Sequence, residues 1–471
     1  MEFDFVFIIL AFLLISLGIT YLIKRFTKND TYYLISLIKS VKPLPFFDRM
    51  GKHHKFLDVF ATIGIIFGFG AVAIDFLYGG KLPKIKRALL FIVSFFAMSS
   101  IIVFIDFALG NAFSNNVLIG SAYPLLVASF GLMGLSGFTL FSLMMQAWEI
   151  IGKYLLGIRS CPGVAPLIPG VKIPGVPITP PLHAWISLII ILIVHEGMHG
   201  ILGRRHGFKI KSTGVILFGF LPIGAFVEPD EKAVNKAADE KVLPFLAAGP
   251  TANLAVMFLT GLLLFGAISL VNPITDSLYP GVQENFFSGV KVNSVLEETS
   301  FCGTIYQSSA FGNLESGDII TGVNGIPINT PNELFSEIQT NRFEEKTFSL
   351  KRNGELIDLT LQPNEMGQYG FVPEGIRNEG FEVPESYFTY GMIISLILEF
   401  IYWLVLLNFL IALINFLPMN PFDGGRMASI LFVPYLGFLK KSKEEKKKII
   451  SKVFLYFILA LFIINALPLF F

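Results

Sequence analysis

Apolar runs of bilayer length alternate with short charged clusters along most of the chain. Phe3–Ile23, Phe56–Tyr78, Ala88–Leu109, Val117–Trp148, Trp185–Leu202, Val242–Val271, Tyr387–Leu417 and Ile449–Phe471 each carry few charges or none. A helix of ~20 such residues crosses a bilayer, so the pattern predicts about eight spans. Four stretches break it. Asn29–Lys55 is polar to amphipathic and fits a loop on the membrane surface, in which His53 and His54 are simply solvated. Ser160–Leu182 (SCPGVAPLIPGVKIPGVPITPPL) is too rich in Pro and Gly to stay helical; it reads as a stiff linker or as a strap over the next span. Thr213–Asp230 is too short and too broken to cross, and predicts a β-rich hairpin at membrane depth, a place open only to backbone packed on protein or lining a cavity. Glu284–Pro363 has soluble composition. It shows β-rich runs at Gly289–Leu296, Lys346–Lys351 and Leu356–Leu361, a helical stretch at Pro331–Thr340, and turns around Ile319–Ile320. Gly370–Glu385 reads as the linker to the next span.

Composition turns the pattern into a class. Hydrophobic residues make up 53% and charged residues 15%, with a mean hydropathy of +0.66. A soluble chain could not bury that much apolar surface, so the expectation is an integral membrane protein. The net charge of +1 points to no nucleic-acid partner. Acids (Glu2, Asp4) precede the first run and Lys24, Arg25 and Lys28 follow it, the flanks of a retained anchor with its N-terminus outside. Arg204–Lys211 (RRHGFKIK) and Lys440–Lys448 (KKSKEEKKK) mark the cytoplasmic face. Counting straight spans from these marks leaves the basic link Lys81–Arg87 outside, against the positive-inside rule. The same count puts Glu284–Pro363 outside, with Cys161 and Cys302, which pair or stay separate thiols. Asp75 and Asp106 fall near span ends, within reach of interfacial water.

Chemistry concentrates in Trp185–Leu202 (WISLIIILIVHEGMHGIL), where His195, Glu196 and His199 interrupt a hydrocarbon segment. Ionisable groups at that depth are costly and mark function. Residues four apart share a helix face, so His195 and His199 are spaced as two ligands of one metal ion, and Glu196 is placed to take a proton from bound water. With six histidines and two cysteines in the chain, a metal site must come from His and carboxylates. A catalytic site needs a third protein ligand, and Asp423 is the strongest candidate: a carboxylate ending a hydrophobic span, beside Pro421 and with Gly424–Gly425 to let the backbone approach the metal helix. Its alternative is a turn aspartate capping the following helix; Glu228 and Glu399 come next as ligands. His183, about three turns from His195, is too far to share the ion. Glu399 lies mid-span and suits a water cavity or a gate. Gly249, Pro250 and Asn253 form a GPxxN pattern that loosens its helix near the metal.

Taken together, HEGMH in one span, GPTAN in the next, the Asn313–Gly325 stretch (NLESGDIITGVNG) between spans and NPFDGG in a third resemble the site-2 protease family of intramembrane metalloproteases, in the subgroup with a PDZ-like domain. The resemblance covers roughly residues 183–430 and leaves the first four spans unassigned. It implies one zinc ion on His195, His199 and Asp423, Glu196 as general base, and Asn415 at the site, either donating to an oxyanion or capping its own helix. The fold it implies is a mainly α-helical polytopic membrane protein with an inserted small α/β PDZ-like domain. The divisions are 1–182, a four-span region with its Pro/Gly-rich linker; 183–283, the first half of the core; 284–365, the PDZ-like domain outside; 366–439, the second half; and 440–471, the basic loop and last span. Its implied action is cleavage of membrane-anchored substrates in or near their spans, in the cell membrane, with the site in the cytoplasmic half of the bilayer. Substrate identity and oligomeric state stay open. The competing readings are a membrane zincin acting on other peptides and, from another class, a metal transporter or metal-dependent scaffold, which would have no use for Glu196.

Overall fold

The computed structural model describes residues 2–27, 29–108, 120–173, 176, 178–219, 221–301 and 304–470. Leu109, Val117 and Cys302 therefore lie outside the described residues. Helix α1 (Glu2–Phe26) runs over the first predicted span, followed by strands β1 (Asp30–Tyr32) and β2 (Ile35–Ser40) and the short α2 (Leu44–Met50). Then come α3 (His54–Tyr78), α4 (Lys84–Ala108), α5 (Tyr123–Leu155) and, after the Pro/Gly-rich segment, α6 (Ala184–Arg205). Strands β3 (Ile210–Phe218) and β4 (Leu221–Pro229) lead through α7 (Glu231–Lys236) to α8 (Asp239–Leu278) and α9 (Val282–Asn285). A β-rich unit follows: β5 (Phe287–Val295), β6 (Glu298–Phe301), β7 (Thr304–Gln307), β8 (Ile319–Val323), β9 (Ile326–Pro327), α10 (Pro331–Gln339), β10 (Lys346–Arg352), β11 (Glu355–Leu361) and β12 (Phe371–Arg377). The chain closes with α11 (Glu385–Phe416), α12 (Asp423–Leu431) and α13 (Lys443–Ala466). Seven helical stretches among the described residues, α3 to α6, α8, α11 and α13, are long and apolar enough to cross a membrane.

Ion pairs fix which ends share a face. Asp239, at the start of α8, takes Lys443 at 2.8 Å and Lys447 at 3.0 Å from α13. Tyr435, between α12 and α13, donates to Asp75 at 2.7 Å, and Asp75 also holds Arg87 at 2.6 Å. The basic link Lys81–Arg87 thus belongs to the same face as Lys440–Lys448. At the other end of α3, Asp58 pairs with Arg205 at 2.7 Å, on that same face. The helices over the spans read at Phe56–Tyr78 and Val117–Trp148 are each broken at a glycine. Gly70 (φ 54°, ψ −137°) breaks α3, and Gly134 (φ 53°, ψ −140°) breaks α5, conformations that only glycine adopts without strain. Past the break in α5, Gly137 comes back against the Ser129 carbonyl oxygen, so that helix folds on itself. The two breaks meet: a Cβ on Gly70 would lie 2.7 Å from the Gly134 nitrogen.

The predicted hairpin is present as β3 and β4, but it is half of a sheet ordered β1-β2-β3-β4. Ile35–Ser40, read as part of a surface loop, pairs antiparallel with Thr213–Phe218. Strand β4 forms one edge and lies against α6. The β-rich unit is a sheet ordered β11-β10-β8-β5-β12 with α10 beside it, around a core of Val290, Val292, Ile320, Val323, Phe348 and Leu350. Its α10 starts on a capping box, with the Thr330 side chain on the Glu333 N–H and Glu333 returning to the Thr330 N–H. The unit outruns its expected boundary: Phe371–Arg377, taken for linker, is an edge strand on β5. An aromatic cluster, with Tyr279 against Tyr387 and Tyr390 and Phe286 against Phe388, holds the unit to the far ends of α8 and α11. At 1.5 Å per residue, α8 carries it ~60 Å from Asp239. It stands away from the basic face.

Candidate metal centre

The C-terminal half of α6 carries the candidate cluster. His195 and His199 are buried, and their Nε2 atoms lie 3.3 Å apart. Asp423, in the first turn of α12, places Oδ2 at 3.4 Å from His195 Nε2 and 3.2 Å from His199 Nε2. A tetrahedral zinc with ligands at ~2.0–2.1 Å has ligand–ligand edges of about 3.3–3.4 Å, so the three atoms outline one face of such a tetrahedron. Among the described residues, this is the group whose His and carboxylate atoms converge in that way.

The neighbours orient the ligands. Phe245 of α8 accepts a hydrogen bond from His199 Nδ1 at 2.8 Å, which leaves Nε2 as the lone-pair nitrogen. Asn253, fully buried on α8, presents its amide to His195 Nδ1 at 3.0 Å, with Nδ2 nearest and Oδ1 without a partner among the described residues. A half-turn of the amide exchanges the two atoms; Oδ1 then accepts from Nδ1–H, the orphan is satisfied, and His195 Nε2 is likewise free to ligate. Gly249 makes room, since a Cβ there would collide with Nε2 of both histidines. The expected role of Gly424 and Gly425 is corrected: they abut the chain's own turn at Phe416–Leu417 and Met419–Asn420, and Gly249 is the glycine at the metal pair. Glu196 is half-buried, and its Oε2 accepts the Val227 N–H of β4 at 2.9 Å.

Of the other candidates, Asn415 donates from Nδ2 to Ile411 O at 2.9 Å, within its own helix, with its second N–H without a partner among the described residues. Glu228 binds the Ser212 hydroxyl at 2.6 Å and faces Lys39 at 3.7 Å. Glu399 stands 4.0 Å from His183 Nε2, with its side chain nearly half exposed, at the head of α6 and not beside the metal pair. The contacts that sequence reading missed are those of Asn253, the Phe245 carbonyl and the Val227 N–H. Only the first left a mark in the sequence, the GPxxN pattern, and nothing in it says which histidine the asparagine meets.

A family model for peptidase family M50 matches residues 183–462. An uncharacterized protein of Methanocaldococcus jannaschii is 31% identical over 279 residues, covering 59% of this chain and 62% of that one. The zinc metalloprotease RasP of Shouchella clausii is 25% identical over 287 residues, covering 50% of this chain and 63% of that one. The chain thus spans about three-fifths of the length of these curated relatives.

Proposed function

The chain belongs to peptidase family M50, the site-2 protease family, and from that premise we propose that it is an intramembrane zinc endoprotease cleaving membrane-anchored proteins in or near their spans. One observation carries the reading: three ligand atoms with the edges of a zinc tetrahedron, two from α6 and one from Asp423, 224 residues after His199, beside a carboxylate that is not one of them. Zinc bound there would supply an acidified water and a Lewis acid for the scissile carbonyl. His195, His199 and Asp423 would hold the ion, Asn253 and the Phe245 carbonyl set the imidazoles, and Glu196 would take a proton from the attacking water and return it to the leaving amine. The second N–H of Asn415 is our candidate donor to the developing oxyanion.

A substrate helix must unwind before its carbonyl can be attacked, because its backbone is engaged in its own hydrogen bonds. The edge of β4 beside Glu196 suits an unwound segment, which would add to the sheet as a further strand. We assign the unit from Phe287 to Arg377 as PDZ-like, outside the cell membrane, screening substrates by bulk, with the metal in the cytoplasmic half. The test is purified protein, wild type and Glu196→Gln, in liposomes with a panel of single-span proteins. Cleavage by wild type alone is the expected result. Equal cleavage by both would sink the reading, and metal flux without cleavage would favour a transporter.

A further inference from the structure

Between α12 and the start of α13 lies a pocket of about 290 Å³, lined by Ser429 of the one and by Glu444, Lys447, Lys448, Ser451 and Lys452 of the other. Three of these six are engaged. Lys447 pairs with Asp239 at 3.0 Å and with Glu444 at 3.7 Å, and the Ser429 hydroxyl donates to Arg426 O at 2.7 Å. Lys448 and Lys452 form no ion pair and donate no hydrogen bond among the described residues. Ser451 accepts an N–H of the Asn420 amide at 2.7 Å, and its own hydroxyl hydrogen has no acceptor among those residues. Two uncompensated cations and one O–H donor thus line the same pocket. That is a donor set for an oxyanion: lysine holds phosphate as a point charge, and a serine O–H adds a directed hydrogen bond.

Its place on the helix selects which oxyanion. Lys448, Lys452 and Tyr456 are spaced four apart and share one stripe of α13. Past the lysines, Val453 and Tyr456 are more than half exposed, on a helix long and apolar enough to cross a membrane. Before them runs the basic segment Lys440–Lys448. The pocket therefore sits where hydrocarbon gives way to headgroups, the level at which exposed tyrosines anchor and basic clusters meet anionic lipid. A lipid lying with its chains along α13 brings its phosphate to Lys448 and Lys452. A zwitterionic headgroup would carry a cation of its own toward them; an anionic one would not. We propose that the pocket binds the headgroup phosphate of one anionic phospholipid, with Lys448 and Lys452 holding its charge and the Ser451 O–H donating to a phosphate oxygen. The same Ser451 holds Asn420, in the turn that leads into Asp423, so the headgroup abuts the segment that delivers the third candidate ligand.

The test places the full chain in nanodiscs of phosphatidylglycerol and phosphatidylcholine in equal amounts, transfers it to mild detergent, and counts the lipids that stay bound by native mass spectrometry. Retention of phosphatidylglycerol at least fivefold above phosphatidylcholine is expected, and equal retention overturns the proposal. Lys448→Gln combined with Lys452→Gln should cut that retention at least fivefold. Lys440→Gln combined with Lys441→Gln, which removes the same charge outside the pocket, should leave it within twofold. Equal loss in both pairs would mean diffuse attraction to a basic surface and no site. Inorganic phosphate should displace no more lipid than sodium chloride of matched ionic strength. If it displaces more, the ligand is a soluble anion and the lipid assignment falls. Should the pair at 448 and 452 fail to fold, phosphatidylglycerol with a photoreactive headgroup decides on the wild type: its label should map to residues 444–456, and label spread evenly over the basic segments overturns the proposal.

Discussion

At the scale of single residues, ligand and orienting roles separate by what each substitution leaves behind. Asp423→Asn removes the charge that balances the ion while leaving the histidines in place. Metal content after gel filtration and turnover should fall together, with Asp423→Cys retaining part of the metal because thiolate is a good zinc ligand. Full metal in Asp423→Asn after exhaustive washing would move the third ligand elsewhere. Asn253→Leu keeps all three ligand atoms but strands a buried His195 Nδ1–H. Losing such an outer partner costs about 10–100-fold in metal affinity. Metal titration against a chelator should find that loss, and Asn253→Asp, which restores an acceptor, should recover most of it. Equal affinity in Asn253→Leu and wild type would show the contact to be incidental.

Among the elements, β4 is the one whose edge matters. The Val227 N–H is given to Glu196 and not to the ladder with β3, so proline there should leave the sheet paired. Val227→Pro should lower turnover about tenfold or more through a misplaced base, within the range general bases contribute, while metal content stays at the wild-type level. Unchanged turnover would dismiss the contact.

The β-rich unit offers a pH test. Asp318 is 2% exposed. Burial by itself would raise its carboxyl, but hydrogen bonds from Arg352 at 2.6 and 2.8 Å and from the Glu315 N–H at 2.8 Å outweigh it and hold the group below the usual carboxylate range. A depressed value adds stability that is complete above the unfolded pKa of ~3.9 and fades as pH falls toward the folded one. Asp318→Asn should loosen Phe287–Arg377 by about 2 kcal/mol at neutral pH, less than the ~3–5 kcal/mol of a fully buried pair because Arg352 keeps Glu315. Hydrogen exchange of those strands should show the gap between variant and wild type narrowing below pH ~4. A gap independent of pH would mean that the ion pair contributes nothing.

For the whole molecule, the arrangement of faces is the testable feature. In sealed vesicles, Lys86→Cys and Lys441→Cys should react with an impermeant thiol reagent from one side and Glu355→Cys from the other, each read above the wild-type background. Lys86→Cys reacting with Glu355→Cys would restore the straight-span count and refute the folded-back helices.

Much of this was legible in the chain. Membrane-length helices follow from apolar run lengths, since lipid demands ~20 residues per crossing. The pair His195 and His199 follows from the period of the helix, and most strands of the β-rich unit from alternation and turns. What the sequence leaves undecided is long-range. Ile35–Ser40 looks like a loop until Thr213–Phe218 supplies its partner. Phe371–Arg377 looks like a linker until β5 does the same. The glycines at 70 and 134 carry no local sign of a break, because small residues also pack straight helices; only the meeting of the two backbones fixes their left-handed conformations. Sequence alone determined the class of protein and the residue types of its chemistry, because both depend on neighbours within a turn or two. Which asparagine meets His195, which backbone N–H meets Glu196, and which face holds Lys81–Arg87 were decided by packing between segments up to hundreds of residues apart, where no local pattern reaches.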